Sequence, residues 1–173
     1  MSRVLAVGLI LVASSAWAGA GENALSMGGG YATYATSSDR DDEVLSPTVG
    51  AAATATFERG VSDYAAWRAR AVGAIYASSD VGTAGSGIVT LGLSYRVDVL
   101  KYVPYVAVGI GGLVRGGGPF STWIEPALEI SGGIDWLRSR NRSLGIDLAM
   151  TGFASDTTTL AVTVRSTWRW GYF

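Results

Sequence analysis

The sequence predicts an all-β fold: an antiparallel, up-and-down transmembrane β-barrel of about eight strands. Three observations carry that expectation. Segments of roughly ten residues alternate apolar with small or polar residues, and turn-like clusters separate them. After the N-terminal segment no apolar stretch reaches the about 20 residues a membrane helix needs, although 49% of the chain is apolar and only 16% charged. Aromatic residues gather near strand ends, and the chain closes on Trp168-Arg169-Trp170-Gly171-Tyr172-Phe173.

The first element is an export signal. Arg3 precedes an apolar run from Val4 to Val12, and small residues then lead to Ala16-Trp17-Ala18. A charged n-region, an apolar h-region and an A-x-A site define a secretory signal peptide, so residues 1–18 are read as signal and 19–173 as the barrel. The remainder suffices for one domain.

The strands follow in order. A glycine-rich segment from Ala24 to Thr36 is the weakest. Next, Val49, Ala51, Ala53, Ala55 and Phe57 share one face, with Thr54, Thr56 and Glu58 on the other. Trp67, Ala69, Ala71 and Ile75 then oppose Arg68, Arg70 and Tyr76. Val89, Leu91, Leu93, Tyr95 and Val97 oppose Thr90, Ser94, Arg96 and Asp98. Val106, Val108, Ile110 and Val114 oppose Tyr105, Ala107, Gly109, Gly111 and Arg115. Ile124, Leu128, Ile130, Ile134 and Trp136 oppose Glu125, Glu129 and Asp135. Leu144, Ile146, Leu148 and Met150 oppose Asp147 and Thr151. Finally Leu160, Val162, Val164, Trp168 and Trp170 oppose Thr163, Arg165, Thr167 and Arg169.

Connection lengths should alternate as well. Long breaks are expected at Ser37–Pro47, Ser78–Gly87 and Arg115–Thr122, with a shorter one at Ala154–Thr158. Tighter turns are expected at Gly60–Asp63, Asp98–Val103 and Arg138–Arg142. An exported chain begins in the periplasm, which places the tight turns there and the long loops outside.

Alternation is shared with soluble barrels, so the contents of each face decide. The polar faces carry Glu58, Asp98, Glu125, Glu129, Asp135 and Asp147 against Arg68, Arg70, Arg96, Arg165 and Arg169. These opposite charges nearly cancel, as a small lumen of paired arginines and carboxylates requires. Trp67, Tyr95, Trp136, Trp168 and Trp170 lie on the apolar faces near strand ends, where they suit an aromatic girdle at lipid headgroups. The opposite facing would give a secreted lipocalin-like binder.

Composition excludes several classes. Without cysteine there is no disulfide framework and no thiolate chemistry. Without histidine there is no His-based triad and almost no zinc or copper site. A net charge of −1 argues against a nucleic-acid partner. No cofactor is expected.

The chain resembles the small outer-membrane barrels of the OmpA, OmpX and OmpW type. Val103-Pro104-Tyr105-Val106-Ala107-Val108-Gly109-Ile110-Gly111 is similar to that superfamily's middle strand. Gly132-Gly133-Ile134-Asp135-Trp136-Leu137 and Ser143-Leu144-Gly145-Ile146-Asp147 resemble its following hairpin. Phe173 resembles the assembly signal read by the barrel insertion machinery. Here Tyr172, Trp170 and Trp168 run out of phase with Phe173, which means either a bulge in the register or a weak signal. The resemblance implies a monomer in the outer membrane of a Gram-negative bacterium, in contact with outer-membrane lipid and lipopolysaccharide. It implies a non-enzymatic structural or surface-interaction role or, as in OmpW, a narrow conduit for small or apolar molecules. Barrels of this kind that are enzymes rely on a histidine, which this chain lacks.

The candidate sites each have a plainer reading beside the functional one. Glu58 and Arg68 flank the first tight turn on one polar face, so they form either a gate or a plug that satisfies buried charge. Glu125 and Glu129 stand about 13 Å apart along a strand, too far for a paired acid/base catalyst. Asp39, Arg40, Asp41, Asp42 and Glu43 occupy the longest expected surface loop. They could hold a divalent cation or a basic partner, but they lack calcium-loop spacing and suit a solvated loop equally. Arg138, Arg140 and Arg142 ring a turn and could touch inner-leaflet phosphates or simply face solvent. Glycines at 109, 111, 112, 132 and 133 fall inside strands, without a phosphate-loop lysine or following helix, and serve curvature instead.

Overall fold

Each polar–apolar segment becomes one strand of a ring that closes on itself. In the computed structural model, which describes residues 20–36, 48–78, 82–97, 101–117, 120–152 and 157–171, the strands are β1 (Asn23–Thr36), β2 (Thr48–Gly60), β3 (Ala65–Ser78), β4 (Gly82–Arg96), β5 (Tyr102–Gly117), β6 (Phe120–Ser139), β7 (Arg142–Gly152) and β8 (Thr157–Trp170). Every neighbouring pair is antiparallel, and β1 also pairs with β8 from Asn23↔Trp170 to Thr36↔Thr157. Closure leaves no sheet edge, so each strand's backbone groups are met by its neighbours, which is the condition for crossing lipid. No helix of the described residues is long and apolar enough to span a membrane.

The faces are inverted relative to a soluble protein. Ile110 and Tyr31 are each 71% exposed and Ile75 is 64% exposed, whereas Arg70, Glu129, Asp135 and Asp147 are each 2% exposed. A continuous exposed apolar surface would be an aggregation hazard in water; around a closed barrel it is a lipid-facing belt. That arrangement is the reverse of the lipocalin-like alternative, whose apolar side chains would line the interior.

Asn23 and Trp170 lie at one rim, the terminal rim, beside the turns 61–64 and 140–141. The opposite rim carries the other strand ends, from Thr36 and Thr48 on β1 and β2 to Gly152 and Thr157 on β7 and β8. Two of the expected long breaks are therefore corrected. β3 and β4 stay paired to Ser78↔Gly82, and β5 and β6 to Gly117↔Phe120, so most of 78–87 and 115–122 is strand. The small residues Ala84, Gly85, Ser86 and Gly87 look like loop in sequence. A ladder hydrogen-bonds through backbone alone, however, and tolerates small side chains where the neighbouring strand supplies partners. Gly117, at φ +83°, adopts the left-handed conformation a side chain would resist and sits where the β5–β6 register shifts.

Candidate functional site

The interior is the site, and its contents follow from the two-residue period of each strand. Glu58 on β2 and Arg68 on β3 are direct cross-strand partners, with an ion pair of 3.7 Å. Arg68 also reaches Asp147 on β7 at 3.3 Å, and Arg70 reaches the same carboxylate at 2.6 Å. Because β3 and β7 stand half a ring apart in this closed order, these contacts cross the lumen. Arg70 further meets Glu129 on β6 at 3.4 Å, and the Thr90 hydroxyl donates to Glu129 at 3.2 Å.

A second cluster is built around Asp135. Arg165 donates to it through both Nε and a terminal nitrogen, each at 3.0 Å, in the two-pronged geometry that suits guanidinium and carboxylate. Arg169 adds a third donor at 3.0 Å and also meets Glu22 at 3.4 Å. Glu22 in turn pairs with Arg96 at 3.3 Å. Tyr105 joins the two clusters. Its hydroxyl donates to Asp147, and its ring carries the Arg165 guanidinium at 4.2 Å and that of Arg68 at 5.2 Å. Arg115 and Glu125 form a separate pair farther toward the opposite rim.

Glycines make room for these groups. Tyr105 faces Gly133, where an added Cβ would run into the Ile146 carbonyl and the Tyr105 hydroxyl. Asp135 faces Gly145, where an added Cβ would strike the Asp135 carboxylate. Arg165 lies between Gly28 and Gly145, and Glu129 lies opposite Gly109. Large inward side chains thus alternate with absent ones around the ring, which is how a narrow barrel fits so much charge.

Beyond the Asp147 and Asp135 clusters the lumen turns largely apolar, with Arg115 and Glu125 at its side. Val72, Ile88 and Leu113 form one buried cluster, with Leu113 fully enclosed. Tyr34 and Tyr76 pack edge-on at 4.7 Å among Ala32, Ala52, Ala74 and Ala161. Two lumen cavities are small. One, bordered by Glu58, Arg96, Tyr105, Asp135, Arg165 and Arg169, is about 10 Å³; the other, beside Tyr34 and Tyr76, is also about 10 Å³. Each is about the space of a single water.

The structure places Glu58, Arg68, Arg70, Arg96, Glu125, Glu129, Asp135, Asp147, Arg165 and Arg169 on the inner face; Asp98 lies outside the described residues. Sequence reasoning missed Glu22, although extending the parity of Ala24 and Ser26 by one step would have found it. It also missed the apolar inner layer, because Val72, Ile88 and Leu113 look like lipid-facing residues when taken singly. Trp67, Tyr95, Trp136, Trp168 and Trp170 all point outward, and all five sit at the terminal rim. Tyr64 stacks on Tyr95 at 6.1 Å, and Phe57 packs against Trp170 at 6.4 Å. Asp39, Arg40, Asp41, Asp42 and Glu43, the expected signal segment 1–18 and Phe173 lie outside the described residues. Among the described residues no group of His, Cys, Asp or Glu is arranged to hold a metal ion.

An apolar exterior, a charged interior and complete closure define a small transmembrane β-barrel of the outer-membrane type. The solved structures it matches are of that kind. It is similar to Neisserial surface protein A, with a TM-score of 0.70 at 11% identity over 86% of this chain and 97% of that one. It is also similar to Ail, the attachment invasion locus protein of Yersinia pestis, with a TM-score of 0.58 at 14% identity over 87% and 99%. The outer membrane protein OprG of Pseudomonas aeruginosa matches with a TM-score of 0.56 at 11% identity over 89% and 99%. These likenesses establish the fold, the closed eight-stranded barrel that those outer-membrane proteins share. No protein-family model and no curated protein matches the sequence.

Proposed function

We propose that the chain, after loss of residues 1–18, is a monomeric, non-enzymatic barrel of the Gram-negative outer membrane with a structural or surface-interaction role. The observation that carries this reading is the bridge from Arg68 and Arg70 on β3 across the lumen to Asp147 on β7. A conduit needs an unobstructed path, and paired charges spanning a narrow interior oppose one. Buried charges held by partners on facing strands instead brace the wall, and removing one partner strands the other. The contact surface is then the loop rim, above all residues 37–47 with the acidic run Asp39 to Glu43. Ail, an attachment invasion locus protein with the same fold, is in keeping with such a surface role. Lipid and lipopolysaccharide surround the wall, and Phe173 addresses the chain to the insertion machinery. The terminal rim faces the periplasm, since an exported chain enters from that side.

Planar-bilayer recording tests the sealed lumen. The wild-type barrel is expected to show no steady conductance, and Asp147→Ala is expected to bring transient openings. A steady wild-type current that changes on altering Arg68 or Glu129 would replace this reading with the narrow conduit.

A further inference from the structure

The lumen network leaves the basic residues of the terminal rim without a role. At the β6–β7 turn four side chains share the outward face of three adjacent strands. Trp136 and Arg138 come from β6, Arg142 from β7 and Trp168 from β8. Arg142 is the cross-strand partner of Trp168, and its guanidinium lies 5.7 Å from that ring's centroid. The Arg138 guanidinium lies 4.1 Å over the ring of Trp136. The β6–β7 register shifts between Leu137 and Ser139, so Arg138 is a bulged residue without a ladder partner, and its side chain is re-aimed at the rim.

Along the ladder Trp136 faces Leu144, and one two-residue step farther out Arg142 faces Trp168. Indole rings on a lipid-facing wall mark the headgroup boundary. Arg138 follows two residues after Trp136, and its guanidinium folds back over that ring, which holds the charge at the headgroup level of the indole. Each guanidinium lies within cation–π reach of an indole, Arg138 closest, so less side-chain entropy is lost when an anion is bound. Among the described residues neither arginine forms an ion pair: the nearby carboxylates Asp135 and Glu22 are turned inward and held by Arg165, Arg169 and Arg96. Two cations beside indole rings on an apolar wall, without an ion pair among the described residues, call for a ligand with an anionic head and an acyl tail.

We propose that Arg138, Arg142, Trp136 and Trp168 form a binding site for the headgroup of an anionic phospholipid in the periplasmic leaflet. The site rests on the membrane reading above. Leu144, outward on β7 and opposite Trp136, continues the wall for the acyl chain. Arg59, on β2 and opposite Trp67, lies two strands from β8, outside the site, and serves as the control.

The test is quenching of tryptophan fluorescence by brominated lipid in phosphatidylcholine vesicles containing the folded chain. Brominated phosphatidylglycerol is compared with brominated phosphatidylcholine at equal fraction. The anionic lipid is expected to be favoured by at least about fivefold, the attraction of one basic side chain to an anionic surface. R138Q/R142Q is expected to abolish that preference, and R59Q to leave it intact. Equal quenching by both lipids, a preference that survives R138Q/R142Q, or an equal loss in R59Q would each overturn the discrete site. Loss of the preference on adding millimolar inorganic phosphate would overturn the lipid assignment in favour of a free phosphate. Unboiled gel mobility of every sample is read in parallel. A chain that fails to insert counts against the membrane reading, whereas an inserted chain without lipid preference counts against the site alone.

Discussion

Asp147 is the residue on which the interior turns. It accepts from Tyr105 and is met by Arg68 and Arg70, three groups from two other strands. Truncating it leaves two buried guanidiniums without their shared anion, so Asp147→Ala should destabilise the folded barrel by about 3–5 kcal/mol. Urea titration in vesicles measures this, and an unchanged midpoint would mean that the cross-lumen pairs contribute little. The inward placement of Asp147, Arg68 and Arg165 could be read from the sequence because β alternation has a period of two and charge avoids lipid. Their partners could not be read. Which arginine meets which carboxylate depends on strands that stand half a ring apart, and no local pattern encodes that distance. Tyr105 illustrates the limit: parity places it inward, yet its position between two guanidiniums follows only from the closed ring.

The strands are held in register by what each side chain meets across the ladder. Gly145 faces both Asp135 and Arg165, and any Cβ there collides with the Asp135 carboxylate. Gly145→Val should therefore cost about 1–3 kcal/mol through overpacking and should loosen the Arg165–Asp135 pair. Gly73 faces open space on the lipid side, so Gly73→Ala should stay within about 0.5 kcal/mol of wild type. Similar losses at both positions would refute the space-making account. On the outer face, Ala53→Arg sets a charge in the lipid belt of β2 and should cost about 2–4 kcal/mol near the midplane. Unchanged folding in vesicles would count against the assignment of that face. Strand number and facing could be read from alternation. The extent of β3, β4, β5 and β6 could not, since Gly85, Ser86, Gly116 and Gly117 look like turn residues until a neighbour pairs with them.

The whole molecule is asymmetric along its axis. Most charge pairs fill the lumen toward the terminal rim, while Val72, Ile88 and Leu113 form an apolar layer toward the other, beside the Arg115–Glu125 pair. Outside, the outward tryptophans of the described residues likewise gather at the terminal rim. Assembly adds one prediction: deleting Phe173 should lower the amount of barrel in the outer membrane, and a normal amount would show that the out-of-phase terminus is not the signal. The most direct test of the account is cell fractionation followed by gel mobility of unboiled and boiled outer-membrane samples. The account predicts a band in the outer membrane that migrates differently before and after boiling. A soluble periplasmic band with no shift would contradict it, because the apolar face would then be exposed to water.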